Sequence, residues 1–176
     1  GKIYGFIPEF FRDENIEELF GECTELIFTK DMAERKAGME DKADAFVIVP
    51  GGIGTFEEFF QVLTLKQLGR HTKPIAIFDI DDYYKDMIEF LDKASKERFI
   101  REACKSLYFY SNNPEETIEF LEIDETADEV FSFISNAFTS VPWKEEDCNK
   151  MIFFAFRIEA IPMVIASFGI SLMLLK

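Results

Sequence analysis

Residues 45–58 read Ala-Phe-Val-Ile-Val-Pro-Gly-Gly-Ile-Gly-Thr-Phe-Glu-Glu: a continuous apolar run, a glycine-rich turn, and the opening of a segment with helical spacing. Five apolar residues with β-branched members, closed by Pro50-Gly51-Gly52, have the character of a strand buried on both faces. Past the turn, Phe56, Phe59, Phe60, Leu63 and Gln67-Leu68 recur at helical spacing, and Gly69 is the expected stop. A strand that feeds a helix through glycines is the repeating unit of parallel α/β folds.

The flanking sequence repeats that unit. Upstream, Lys2–Ile7 and Thr24–Phe28 read as strands, and Met32–Lys42 is rich in helix formers. Downstream come a strand at Pro74–Phe78, a helix over Asp82–Glu97, a short strand at Ser106–Tyr110 and a helix over Pro114–Leu121. The expected fold class is α/β, a parallel sheet with helices on both faces, whose ligands bind beyond the carboxyl ends of the strands. The turn after Val49 lies at such an end.

Composition narrows the partners. A hydrophobic share of 48%, with 21 Phe, is that of a chain that folds, and 176 residues suffice for one core. A net charge of −15 argues against unspecific binding to nucleic acid or an anionic membrane, both of which need clustered cations. Any anionic ligand must be held locally. Cys23, Cys104 and Cys148 are odd in number and widely spaced, which suggests neither a disulfide framework nor a zinc site and fits a reducing cytoplasm. His71, the single histidine, has no metal-ligand partner at useful spacing and is expected on the surface after a helix. The chain opens Gly-Lys-Ile-Tyr rather than with Met, and the N-terminus is expected to be cut rather than targeted.

The turn itself has anion-binding character. Three glycines within four residues, Gly51, Gly52 and Gly54, allow close backbone approach, and the helix N-terminus aims its N–H groups at one spot. No Gly-Lys-Ser/Thr follows and the dinucleotide glycine spacing fails, so a mononucleotide phosphate is the better match. Two charged features flank it, each with two readings. Thr55-Phe56-Glu57-Glu58 fits a capping box, and Arg35-Lys36 fits ordinary surface ion pairs beside Glu34, Glu40 and Asp41; alternatively, both belong to a site.

Taken together, Met32-Ala33-Glu34-Arg35-Lys36 followed by Pro-Gly-Gly-Ile-Gly-Thr-Phe-Glu-Glu closely resembles the paired motifs of the LONELY GUY family of cytokinin-activating phosphoribohydrolases. The resemblance runs from Ile3-Tyr4-Gly5-Phe6-Ile7-Pro8 through Gln67-Leu68-Gly69, Lys73-Pro74, Tyr83-Tyr84 and Phe99 to Asn113-Pro114-Glu115-Glu116. It implies a Rossmann-like homodimeric enzyme that releases free base and ribose 5-phosphate from a nucleoside 5′-monophosphate, a cytokinin ribotide or AMP, with no metal or redox cofactor. By the family's pattern Arg35 and Glu58 are the catalytic pair, and Met32, Lys36, Gly51, Gly52, Gly54 and Thr55 bind substrate and its phosphate. The lysine decarboxylase label sometimes attached to the family finds no support in a pyridoxal-phosphate lysine pattern. Ala33 departs from the His that many members carry.

A second departure is larger. The family pattern includes a first strand with a Cys-Gly-Ser-like turn and a later Tyr-Gly-Gly-Gly stretch, neither present here; loss of a central strand is expected to expose two strand edges and to remove part of the nucleotide pocket. The domain is thus expected as a partial Rossmann-like hydrolase over residues 1–122, followed by a helical extension over 123–176 outside the resemblance. That extension holds an acidic helix-like stretch, Asp124–Ala137, and 16 uncharged residues from Ala160 to Leu175, about 24 Å as a helix against the roughly 30 Å of a bilayer core. A membrane helix, a buried or dimer-packing helix, and a segment foreign to the natural domain all remain open for it. Two other functions stand beside the enzyme: a non-catalytic nucleotide or molybdopterin-type cofactor carrier, and a membrane-tethered assembly subunit worked by the tail.

Overall fold

The computed structural model describes residues 2–13, 24–121, 153–156, 162–165 and 172–174. In chain order these form β1 (Lys2–Pro8), α1 (Glu9–Asp13), β2 (Glu25–Thr29), α2 (Met32–Lys42), β3 (Ala45–Ile48), α3 (Ile53–Gln67), β4 (Ile75–Phe78) and α4 (Lys85–Lys96). A 3-10 segment (Glu102–Leu107), β5 (Phe109–Ser111) and α5 (Pro114–Leu121) follow, then β6 (Phe153–Phe156), β7 (Pro162–Ile165) and β8 (Leu172–Leu174). Through α5 the strand–helix alternation holds as expected, with two differences: the short helix α1 directly after Pro8, and a 3-10 segment that takes up residues 106–107, where a strand was expected to begin.

The sheet has the order β2-β1-β7-β8-β6-β3-β4-β5. Two parallel blocks make up its flanks. In one, β1 pairs β2 from Tyr4↔Glu25 to Pro8↔Thr29; in the other, β3 pairs β4 from Phe46↔Ile75 and β4 pairs β5 from Ala76↔Phe109. Strand alternation puts helices on both faces. Phe6 joins the core cluster of Met39, Phe46, Ile48, Phe59, Ile75, Ile77, Tyr84 and Leu91 under α2, α3 and α4, whereas its neighbour Ile7 packs with Phe11 of α1. On α2, Gly38 lies so close to that core that an added Cβ would stand 2.8 Å from the ring of buried Phe6, which fixes how near the helix sits to the sheet.

The C-terminal expectations need correction. Where residues 123–176 are described they form strands, not helix, and these strands lie between the two parallel blocks. β7 runs parallel to β1 at Lys2–Ile3, β8 pairs Tyr4 antiparallel, and β6 pairs all of β3 antiparallel. The edges of β1 and β3 expected to be exposed are therefore paired at these residues. A short apolar run does not tell a buried helix from a buried strand, and Pro162 is costly in a helix interior. The acidic stretch Asp124–Ala137 lies outside the described residues. Among the described residues no helix is long and apolar enough to cross a membrane.

His71 is not a surface residue. It is half-buried, its Nε2 lies 2.9 Å from the Val62 carbonyl, its ring is 5.5 Å from that of Phe46, and its Nδ1 is buried without a hydrogen-bond partner among the described residues. Facing a carbonyl, Nε2 must donate, so the neutral tautomer leaves Nδ1 as the orphaned acceptor. Burial pulls the imidazole below its usual 6.5, with Lys73 and Lys66 adding to it and the Val62 bond opposing. Protons then bind the unfolded chain more readily, so the stability due to neutral His71 is present above pH 6.5 and is lost as pH falls through the lower folded value. An NMR titration of this single histidine is expected to give a midpoint below 6.5, and the acid-side loss of thermal stability centred there is expected to vanish in His71→Phe; a midpoint at or above 6.5 would contradict this.

Candidate active site

Helix α2 begins at a defined place. Asp31 caps it by accepting the Glu34 N–H at 2.8 Å, and the Glu34 carboxylate reaches back to the Lys30 N–H at 2.6 Å, a reciprocal arrangement like a capping box. With the start fixed, Arg35 and Met39, four residues apart, turn to the same inward face. Met32, one turn earlier, packs partly buried against the cluster of Ile7 and Phe11. Lys36 stays near the surface.

Helix α3 begins inside the glycine turn. Gly52 is its N-cap without a side-chain cap bond, and the first intrahelical bond runs from the Phe56 N–H to the Gly52 carbonyl at 3.2 Å. Helix geometry leaves the N–H groups of Ile53 and Gly54, at the first two positions of α3, without intrahelical acceptors. Thr55 is thus the third helical residue and not the cap, so the capping-box reading of Thr55 and Glu58 does not hold. Gly51, Gly54 and Thr55 are buried and Gly52 is half-buried.

The side chains proposed from sequence as a catalytic pair meet. Arg35 Nη1 donates to Glu58 Oε1 at 2.7 Å, and Arg35 Nε donates to the Phe6 carbonyl at 3.2 Å. Arg35 is 1% exposed and Glu58 3%, so this is a buried ion pair rather than a surface one. It ties α2 to α3 and both to β1. A charge so buried is tolerated only when paired and hydrogen-bonded. Beside it Lys36 Nζ meets Glu57 Oε1 at 2.6 Å, half in solvent, and this second pair does match the surface reading. A shallow cleft between the two helices is lined by Lys36, Met39, Glu40, Glu58, Gln61 and Val62. In it Glu40 hydrogen-bonds Gln61, and burial holds the Glu40 carboxyl above the usual range, Glu58 adding to this while Gln61, Lys36 and Lys73 oppose it.

Sequence reasoning missed the tyrosines that touch the turn. The Tyr84 hydroxyl donates to the Val49 carbonyl and the Tyr83 hydroxyl to the Gly51 carbonyl, each at 2.6 Å. Both were legible only as part of a family resemblance, because nothing in their spacing says which turn they reach. Among the described residues no cluster of His, Cys, Asp and Glu could hold a metal ion.

Comparison with known proteins adds three findings. The sequence pattern of the family described as "possible lysine decarboxylase" matches residues 1–121. The chain is 37% identical over 123 residues to the cytokinin riboside 5′-monophosphate phosphoribohydrolase LOG5 of Arabidopsis thaliana, covering 69% of this chain and 53% of that protein. It is 42% identical over 106 residues to the cytokinin riboside 5′-monophosphate phosphoribohydrolase of Rhodococcoides fascians, 60% of this chain and 53% of that one. The chain therefore spans about half the length of the curated relatives it matches.

The two ion pairs differ in burial and should differ in worth. Lys36→Ala is expected to change the unfolding free energy by less than about 1 kcal/mol, as exposed pairs do. A loss above about 2 kcal/mol in chemical denaturation would show that the outer pair supports the helix contact as well.

Proposed function

The chain belongs to the LONELY GUY family, described as possible lysine decarboxylases, and from that premise we propose that it hydrolyses the N-glycosidic bond of a nucleoside 5′-monophosphate, a cytokinin ribotide or AMP. The products are free base and ribose 5-phosphate. The observation that carries the proposal is the single corner where a glycine turn, a helix N-terminus and the Arg35–Glu58 pair converge. Gly51, Gly52, Gly54 and Thr55 hold the phosphate through backbone N–H groups, with Met32 and Lys36 beside the substrate. Glu58 lies five residues into α3 from Ile53, roughly 7 Å along the axis, so a sugar anchored by its phosphate at the helix end extends toward it.

Breaking the bond between C1′ and the base nitrogen builds positive charge on the ribose. The Glu58 carboxylate opposes that charge and orients the water that adds to C1′, as carboxylates do in glycosidases. The base leaves with the bonding electrons and takes a proton. The Arg35 Nε and Nη1 both point at protein atoms, the Phe6 carbonyl and the Glu58 carboxylate. We therefore give it the role of holding the Glu58 carboxylate in place.

The working form we propose is a homodimer in the cytoplasm. Supporting the dimer are large apolar side chains that stand in solvent at Ile53, Leu68, Phe90 and Phe99. Near-complete burial of Glu58 favours one competing reading, a carrier that binds nucleotide without turnover. Incubation of the chain with AMP or isopentenyladenosine monophosphate is expected to release ribose 5-phosphate, and Glu58→Gln is expected to lower kcat by at least about a hundredfold with KM little changed. Tight binding of AMP with no product would instead establish the carrier, and unchanged turnover in Glu58→Gln would remove that residue from the chemistry.

A further inference from the structure

The turn that is to hold phosphate contains a peptide, Gly51–Gly52, with no side chain on either flank to fix its plane. Glycine on both sides leaves such a peptide free to rotate, and one orientation presents an N–H to an anion while the other presents a carbonyl oxygen, which repels it. Something outside the turn must choose.

We infer that Tyr83 is the positioning residue that makes this choice, and that it acts on phosphate-bearing ligands specifically. Its hydroxyl donates to the Gly51 carbonyl at 2.6 Å. In a planar trans peptide the carbonyl of one residue and the N–H of the next point to opposite sides, so a carbonyl drawn toward Tyr83 sends the Gly52 N–H away from it, to the side assigned above to phosphate. Tyr84 secures the other end of the turn, donating to the Val49 carbonyl at 2.6 Å; the peptide after Val49 belongs to Pro50 and has no N–H to redirect. The Tyr84 hydroxyl also lies against the Gly51 backbone, on the peptide before the one at issue, and the Tyr83 contact is the one on the Gly51–Gly52 peptide.

The loop that delivers the tyrosines is built for the task. Asp81 and Asp82, immediately before them, hold left-handed backbone at φ 54° and 59°, a conformation that costs energy in residues other than glycine and persists only where its surroundings impose it. Asp79, buried at the end of β4, accepts the Tyr84 N–H at 2.9 Å through Oδ1 and the Tyr110 hydroxyl through Oδ2. The two tyrosine rings meet edge to face with centroids 4.9 Å apart. Buried Tyr84 is the anchor, and half-exposed Tyr83 is carried on it against the turn.

This inference rests on the phosphate reading of the turn, and its test separates the two. Tyr83→Phe keeps the ring and deletes the hydroxyl at a position 50% exposed, so the fold is expected to survive. Calorimetric titration of the full chain with AMP is expected to show Kd raised roughly five- to tenfold, as for loss of one well-made hydrogen bond, with adenosine binding unchanged. Equal weakening for AMP and adenosine, with or without a fall in thermal stability, would make Tyr83 merely structural and overturn the inference. So would unchanged AMP affinity. If the parent chain bound neither AMP nor inorganic phosphate, the phosphate reading itself would fall, a result distinct from either of those.

Discussion

The buried contact between Arg35 and Glu58 is the interaction on which the site depends. Neither side chain belongs in a core alone, and the guanidinium reaches three elements at once: its own helix, the carboxylate on α3 and the Phe6 carbonyl of β1. Removing one partner from such a pair leaves an uncompensated buried charge, at a cost of about 3–5 kcal/mol. The fold is thereby committed to holding these helices at one separation. That same separation holds a carboxylate in the second turn of the helix whose N-terminus is proposed to bind phosphate, so stability and the proposed chemistry draw on one contact.

Much of this arrangement was legible in the sequence. The bounds of α2 and α5 match their composition, and the apolar run 45–49, short and closed by Pro50-Gly51-Gly52, holds the strand β3 expected there. The glycine turn lay where a parallel sheet puts its ligands. Pairing of Arg35 with Glu58 was legible only through family resemblance, since the two are 23 positions apart and periodicity carries no information across a crossover. Local rules misled at Thr55, whose match to a capping box is overridden because the N-cap of α3 lies three residues sooner, at Gly52. They also misled at His71, where a residue just past a helix folds back onto Phe46 instead of facing water.

The C-terminal residues show a different limit. Apolar runs without charge are equally fit for a packed helix or a sheet interior, and the decision falls to whatever edge is unpaired. Here β1 and β3 offer such edges, and β6, β7 and β8 pair with them. A parallel sheet interrupted by antiparallel strands is an unusual core for a doubly wound fold. The site's described contacts nevertheless run through β1, α2, the turn, α3 and the loop after β4, elements that lie within the region shared with the family.

The most direct test of the central claim is a double-mutant cycle on unfolding free energy, built from Arg35→Leu, Glu58→Leu and the pair. A buried, mutually dependent ion pair predicts that each single change costs several times more than its half of the double change, with a coupling energy of at least about 2 kcal/mol. Additive losses, with a coupling indistinguishable from zero, would contradict the account: the two groups would then be neighbours in space without being partners.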